Sequence, residues 1–449
     1  MSYPVAYGID FGTTNSALAV AYDDGTIEVL GTPEELTQSL IYLHRNQNRL
    51  VGEEAIRAYL DTGSARTPCS RCELVDWERG APQTQCRNCL PGGSCFDARL
   101  IAQVKAELAD EDFGGTHSWA EDFEIEDLVA IVLMRLKKAA DRQLGTAIDR
   151  VTIGHPVRFA GAEGEDFVRL QALAQRRLAS AAERAGFSEH VSLMPESKAA
   201  VAVEGVDDGV LLCLDFGGGT FDVALIEVHG SRSEVLALNG VPVGGEEFDS
   251  KIFDAFVSPA IGLNSEFVLA NGQTRHLPAE LRTKLRSLSG VNDLVSENLA
   301  AGVSAHLAGL DHDEVLDRVN AIITGGSGWR LFQAIKIAKH DLSDSPKTVI
   351  DVRSGELSLS IPVAIEEFVS VIADDLQLVR YCIEDALEDA NVTPDEVSYV
   401  SRTGGSSQIP AFIQMIENTY TNATHVQMDP FTSVVQGLAR HAYEVWANE

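Results

Sequence analysis

Two short segments place a carboxylate at the end of an apolar run and follow it with a glycine-containing break. They are AYGIDFGTTNSALAVAY around Asp10 and VLLCLDFGGGTFDVALIEV around Asp215. A phosphate chain needs backbone N–H groups that approach closely, hydroxyl donors, and a divalent cation held by carboxylates or water. Each segment carries such groups. In the first, Gly12 lets the backbone turn against an anion, Thr13, Thr14 and Asn15 offer donors, and Asp10 stands at the strand end. In the second, Gly217, Gly218 and Gly219 make an amide-rich turn, Thr220 adds a hydroxyl, and Asp215 and Asp222 add carboxylates. For either segment alone the plain alternative is a tight hairpin. A Walker-type loop or a dinucleotide fingerprint runs from strand through glycine loop into a helix. Here each turn leads into another strand-like run, so paired hairpins would hold the phosphates.

A second constellation is thiol chemistry. Five of the seven cysteines, Cys69, Cys72, Cys86, Cys89 and Cys95, fall in one short segment, whereas Cys213 and Cys382 sit in apolar runs and read as core. Cys69-x2-Cys72 and Cys86-x2-Cys89 are separated by thirteen residues, the pairing of a four-thiolate zinc site. The intervening ELVDWERGAPQTQ is polar, and a metal would supply its missing folding energy. Cys95 is an alternative ligand, and a redox dithiol pair or an iron–sulfur site are the competing readings.

Positioning these residues requires strands on either side of each turn. AYGIDF, SALAVAY and TIEVL read as a three-strand meander, and the unit around Asp215 repeats the pattern about two hundred residues later. That repetition predicts an internal duplication with two similar α/β lobes. EDFVRLQALAQRRLASAAERAGF reads as a helix stopped by glycine, and VSLMPESKAAVAVEG as a strand followed by a helix with Pro195 in its first turn. The stretch from Gly244 to Lys347 is mostly helical in pattern. VSYVSRTGGSSQIPAFIQMIENTY reads as strand, turn and helix, with Ser407 as the cap and Pro410 in the first turn. The expected architecture is lobe I over 1–205 with 425–449 returning to it, the cysteine insert over 65–97 within it, and lobe II over 206–424.

The 449-residue chain carries 67 acidic against 35 basic residues, a formal net charge of -32. Such a surface repels phosphate backbones and anionic lipid heads, which argues against nucleic-acid or membrane binding. MSYPVAYGID has neither the basic nor the apolar region of a signal peptide, and no stretch approaches the roughly 20 apolar residues that cross a bilayer. A cytoplasmic location, with reduced thiols, is expected.

Together the motifs resemble the ATPase domain of DnaK-type heat-shock chaperones, within the actin-like superfamily. DFGTTNS (10–16) is similar to the first phosphate motif and DFGGGTFD (215–222) to the second. IGHPVRF (153–159), MPESKAAVAVEG (194–205), VPVGGEEFD (241–249) and TGGSSQIPAF (403–412) resemble the two connecting segments, the later glycine pair and the adenosine motif. The short YegD-like members look closest. The resemblance implies a two-lobed actin-like ATPase fold with Mg-ATP in the central cleft. It implies that Asp10 and Asp215 hold Mg2+ through water, that Thr13, Thr14 and Thr220 face phosphates or the attacking water, and that Glu196 orients that water. Gly244, Gly245, Glu246, Gly404, Gly405 and Ser406 would line the phosphate, ribose and adenine side. A basic residue from lobe I completes the set: Lys105 in VKAELA, with Arg99 in FDARLIA as its rival. Where many members sandwich adenine between arginines, this chain has His340, near Ser343, and Gln408, which do not stack as guanidinium does.

The implied activity is slow ATP hydrolysis driving a lobe clamp, with ATP and ADP as ligands. A protein client or co-chaperone could dock on the lobe surfaces or the zinc insert. No β-rich peptide-binding domain follows the last helix pattern, so peptide holding by that route is not expected. An actin-fold small-molecule kinase, an actin-like filament or scaffold protein, and a nucleotide-binding pseudo-ATPase are the alternative readings.

Overall fold

The run Pro4–Phe11 (β1) breaks at Gly12 and returns antiparallel as Asn15–Tyr22 (β2), which turns at Asp24-Gly25 into Ile27–Leu30 (β3). Val151–His155 (β4) lies parallel to β1, and Val191–Pro195 (β5) parallel to β4. The sheet order is therefore β5-β4-β1-β2-β3, with Thr37–Gln38 added beside β2. The second half repeats this scheme. Gly209–Phe216 (β6), Phe221–His229 (β7) and Arg232–Val241 (β8) form the meander, Val397–Thr403 (β9) runs parallel to β6, and Thr424–Gln427 (β10) parallel to β9. Its order, β10-β9-β6-β7-β8, matches the first sheet strand for strand and sense for sense. The sequence duplication is thus a duplication of topology.

The computed structural model describes residues 2–446 except 32–35, 45–48, 63–71, 75–83, 87–97, 114, 119–120, 163, 189, 200–205, 207, 230–231, 269–273, 297–313, 324–325, 356 and 428–431. Parallel pairing of β1 with β4 and of β6 with β9 requires crossovers. The helices Ile125–Leu144 and Ala373–Ala390 immediately precede β4 and β9. Each lobe buries its own core: Tyr7, Ile9, Val20, Leu133 and Phe187 in lobe I, and Leu214, Phe216, Phe221, Phe248 and Phe412 in lobe II.

The chain returns to lobe I in its last helix, Ser433–Trp446, whose Val435 and Ala439 pack on Ala17 and Ala19 of β2. Contact there is backbone on backbone. A Cβ on Gly8 would lie 2.2 Å from the Ala439 nitrogen, and one on Gly437 would lie 1.8 Å from the Ala199 carbonyl oxygen. β10 remains in the sheet of lobe II.

Two local expectations differ from what forms. Pro195 closes β5, opposite His155, and the helix starts at Glu196; a residue without an N–H ends a ladder as readily as it begins a helix. Ser407 does not cap the following helix. It lies in the 3-10 turn Gly405–Gln408, its hydroxyl donates to the Gly404 carbonyl at 2.7 Å, and Ile409 precedes the helix Pro410–Thr419.

In the cysteine segment, Cys72–Leu74 pairs antiparallel with Thr84–Cys86, with Cys72 opposite Cys86. Cys69, Cys89 and Cys95 lie outside the described residues, as do 200–205 of the connecting segment. Among the described residues no helix is long and apolar enough to cross a membrane.

Candidate functional site

Because the sheets are equivalent, Asp10 and Asp215 occupy equivalent places, near the ends of β1 and β6. The two turns that follow them meet tip to tip. A Cβ on Gly218 would lie 2.8 Å from Thr14 Oγ1, and one on Gly219 would lie 2.8 Å from Thr13 Oγ1. Only glycine leaves both threonine hydroxyls in place. Backbone bonds then fix the second turn: Gly217 N–H donates to Thr220 O at 3.0 Å, Gly245 N–H to Gly217 O at 3.1 Å, and Glu246 N–H to Gly218 O at 2.8 Å. The Ser406 hydroxyl also donates to Gly217 O, at 2.8 Å. Gly404 has φ of 80°, and a Cβ there would lie 2.3 Å from the Phe216 carbonyl oxygen, so the chain leaving β9 can pass β6 only as glycine.

Beneath the turns a lysine meets the carboxylates. Lys105 Nζ lies 2.7 Å from Glu196 Oε1, with both side chains only 8% exposed. The same cavity is lined by Asp10, Asp215, Thr13 and Thr220. Arg99, in the strand Ala98–Ile101, instead donates to the Thr116 hydroxyl and lies outside that lining. Asp222 is buried, with Oδ2 accepting from Thr220 at 3.0 Å and Oδ1 from Val157 N–H, across the lobes, at 2.7 Å.

Burial, and then the neighbouring Glu196 charge, push Asp10 up to about 8 and Asp215 up to about 6, and hold Asp222 well above the ordinary carboxylate value. Burial alone would lower Lys105, but Glu196, Asp10 and Asp222 outweigh it and hold the ammonium above the usual lysine value. Among the described residues, Asp10, Asp215, Asp222 and Glu196 thus share one cation, Lys105.

Beyond the turns lies a cavity of about 550 Å3. One wall is the helix Ser327–Asp344, which contributes Lys336, Lys339, His340 and Ser343; the opposite wall contributes Ser406, Gln408, Ile409 and Ile413. Glu246 stands where this cavity meets the turns and accepts from Thr14 Oγ1 at 2.9 Å, a contact across the cleft. Burial raises its carboxyl, against the pull of Lys336 and the Thr14 hydroxyl. Gly244 abuts the second turn, where an added Cβ would lie 2.4 Å from Gly218 O.

The sequence reading missed Lys336 and Lys339. Lys339 pairs with Asp249 at 2.6 Å and donates to Gly245 O, fixing the helix to the glycine pair. The signal was present: Lys336, Lys339, His340 and Ser343 follow the three-and-four spacing that puts residues on one helical face.

Two equivalent α/β lobes, with two hairpin turns closing on a carboxylate cluster, define the actin-like ATPase fold. The family described as Hsp70 protein matches residues 6–265 and 327–444, and the chain belongs to the Hsp70 family. It is 24% identical over 448 residues to a chaperone protein DnaK of Thermosipho melanesiensis, covering 97% of this chain and 58% of that relative. The chain therefore spans little more than half the length of that relative.

Proposed function

We propose that this chain is a cytoplasmic chaperone-like protein that binds and slowly hydrolyses Mg-ATP, using the nucleotide as a clamp between its lobes. The observation that carries the reading is the meeting of the two turns, Thr13 and Thr14 against Gly218 and Gly219, above Asp10, Glu196, Asp215 and Lys105. Oxygen donors suit a hard divalent cation, and a pair of buried carboxylates, Asp10 and Asp215, fits Mg2+ that keeps its water shell rather than one ligated directly by the protein. Bound Mg2+ supplies charge neutralisation for the phosphates. Asp10 and Asp215 would hold it through water. Lys105 brings positive charge to the phosphates, Glu196 orients the attacking water, and Thr220, already fixed by Asp222, presents its hydroxyl beside it. His340, Ser343 and Gln408 bound the base cavity, whose described lining holds no guanidinium to stack on adenine. No covalent step is required, because positioning and charge do the chemistry.

Calorimetric binding and ATP turnover of wild type and Thr220→Ala test this. Wild type is expected to bind and hydrolyse ATP, and Thr220→Ala to keep binding while turnover falls on the order of 100-fold. A wild-type protein that neither binds nor hydrolyses ATP overturns the reading.

The cysteine segment we read as a structural zinc knuckle to which a client or co-chaperone could dock. In its support, Cys72 and Cys86 sit on facing backbone positions of one antiparallel pair. Such Cα atoms are roughly 4.5–5.5 Å apart, so the end of the first CxxC pair lies beside the start of the second. Among the described residues no group of three or more His, Cys, Asp or Glu side chains is placed to hold a metal ion directly, in the cysteine segment or in the cleft. Purified protein is expected to carry about one zinc per chain, measured by atomic emission; a content far below that removes the knuckle.

A further inference from the structure

A third cavity, of about 220 Å3, opens on the other side of the paired turns from the base cavity. The turns divide the two spaces. Thr14, Asn15, Gly217 and Gly218 line the base cavity, whereas Thr13, Gly219 and Thr220 line this one. Thr13, Lys105 and Thr220 also line the carboxylate cavity, so the two spaces share the groups aimed at the phosphates. With the base on the far side and the phosphates at the turns, the terminal phosphate is the part of the nucleotide nearest this third space.

Both lobes build it. Lobe I supplies Gln103, Pro156, Phe159 and Ala160, and lobe II supplies Pro242, Glu246, Glu247, Ser250 and Ser287. Attack by water uses neither Gln103, Glu247 nor Ser250. Gln103 has φ of 60° although it is not glycine. Backbone of that kind persists only where the surrounding structure holds it, and it gathers at ligand clamps and active sites. Here the Ala106 N–H donates to the Gln103 carbonyl at 2.9 Å, so one turn presents both Gln103 and, two residues on, Lys105.

The walls select a class of ligand. The cavity is smaller than the roughly 300–1,000 Å3 of clefts that take drug-sized molecules, so its occupant has few heavy atoms. Glu246 and Glu247 repel an anion. Each also has a partner already, so neither calls for a cation: Glu247 lies 4.0 Å from Arg286, and Glu246 accepts from the Thr14 hydroxyl at 2.9 Å. Pro156, Phe159 and Pro242 offer carbon surface, while the Gln103 amide and the Ser250 hydroxyl can each donate and accept hydrogen bonds. A neutral molecule carrying several hydroxyls on a short carbon frame matches that set.

We propose that this cavity is an acceptor site for a small neutral polyol, and that the chain transfers the terminal phosphoryl group of ATP to one of its hydroxyls. This rests on the ATP-binding reading above, and hydrolysis is then the reaction with water in the acceptor's place. The acceptor oxygen forms a bond to the terminal phosphorus as the bond from that phosphorus to the oxygen bridging to ADP breaks. The hydroxyl proton passes to Glu196, which is paired with Lys105 where the two cavities join and which orients water when no polyol is bound. The products are ADP and a phosphate monoester. Because each lobe supplies one wall, closing the lobes on the polyol keeps water out.

The test incubates the protein with Mg2+, ATP labelled in its terminal phosphate, and in turn glycerol, erythritol, xylitol, glucose and myo-inositol, and separates labelled monoester from labelled inorganic phosphate. At least one polyol is expected to take the label. Gln103→Asn keeps a residue that tolerates positive φ but draws the amide back by one methylene. It is expected to raise the KM for that polyol on the order of tenfold, the scale of one lost hydrogen bond, with hydrolysis in the absence of polyol unchanged. Ser250→Phe, which fills the cavity, is expected to abolish transfer and keep hydrolysis. Melting curves show that each variant is folded, and if Ser250→Phe is not, Gln103→Asn decides. Labelled inorganic phosphate alone with every polyol, from a wild type that binds and hydrolyses ATP, overturns the acceptor site. So does transfer that proceeds with wild-type KM in Gln103→Asn or survives in folded Ser250→Phe. Failure of wild type to bind ATP appears first, in calorimetry, and sinks the ATP-binding reading itself rather than the acceptor site alone.

Discussion

Lys105→Ala is expected to lower ATP turnover by on the order of 100- to 1000-fold, the usual effect of deleting a charge aimed at a transferring group. The geometry makes the loss larger than that of an ordinary surface lysine. Lys105 is the one cation lining the cavity of Asp10, Glu196 and Asp215, and it lies 2.7 Å from Glu196 with both side chains nearly buried. Removing it leaves Glu196 buried beside like charges, which costs about 3–5 kcal/mol of stability when a buried partner is lost. The double variant Lys105→Ala/Glu196→Gln separates the two roles. Without the orphaned charge, stability should return toward wild type while turnover stays low. Lys105→Arg keeps the charge but puts a planar fork where a compact ammonium stands, so nucleotide binding should survive better than hydrolysis. Single-turnover hydrolysis and chemical denaturation provide both readouts. Turnover of Lys105→Ala within about threefold of wild type, against the size of effect expected here, would remove Lys105 from the machinery.

The same pair shows what was legible in the sequence. The two turn motifs announce themselves because their chemistry is local: carboxylate, glycines and hydroxyls stand within a few residues of each other. The duplication was legible for the same reason, and the two sheets repeat it in strand order. Choosing Lys105 over Arg99 is a question of where a strand points its side chains. The answer depends on Arg99 satisfying itself on Thr116, 17 positions further along the chain and in neither motif. The stretch from Gly244 to Lys347 was legible only as mostly helical, and the role of the helix Ser327–Asp344 as a cavity wall was not, since nothing in its sequence reveals that Gly245 and Asp249 stand opposite Lys339. Pro195 and Ser407 failed for a different reason. Proline ends strands as well as beginning helices, and a serine hydroxyl beside a turn carbonyl satisfies itself there rather than capping the next helix. Contacts between lobes, such as Asp222 on Val157 and Trp329 among the lobe I aromatics, carry no periodicity at all.

The acid–base state of the cleft yields the second large effect, a dependence of stability on pH that Mg-nucleotide should erase. Asp10 is pushed up to about 8 and Asp215 to about 6 in the folded protein, while an unfolded aspartate titrates near about 3.9. Between about pH 4 and 8 the folded state therefore binds more protons than the unfolded chain, so stability falls as pH rises across that window. Asp222, Glu246 and Glu247, all raised chiefly by burial, act with the same sign. His155 and His441, both lowered by burial, act oppositely around the ordinary histidine range, so the cleft's share must be read by difference. The comparison is wild type against Asp10→Asn, with melting temperature followed from pH 5 to pH 8.5. Ligand-free wild type should lose ground to the variant as pH rises. With Mg-ADP bound, the carboxylates are held ionised, so stabilisation by the nucleotide should grow with pH in wild type and much less in Asp10→Asn. Mg2+ addition should also release protons, read as a binding heat that changes with the ionisation enthalpy of the buffer. A melting curve for ligand-free wild type that runs parallel to Asp10→Asn at every pH, or a binding heat indifferent to buffer, would show that the cleft carboxylates are already ionised and that burial does not hold their protons.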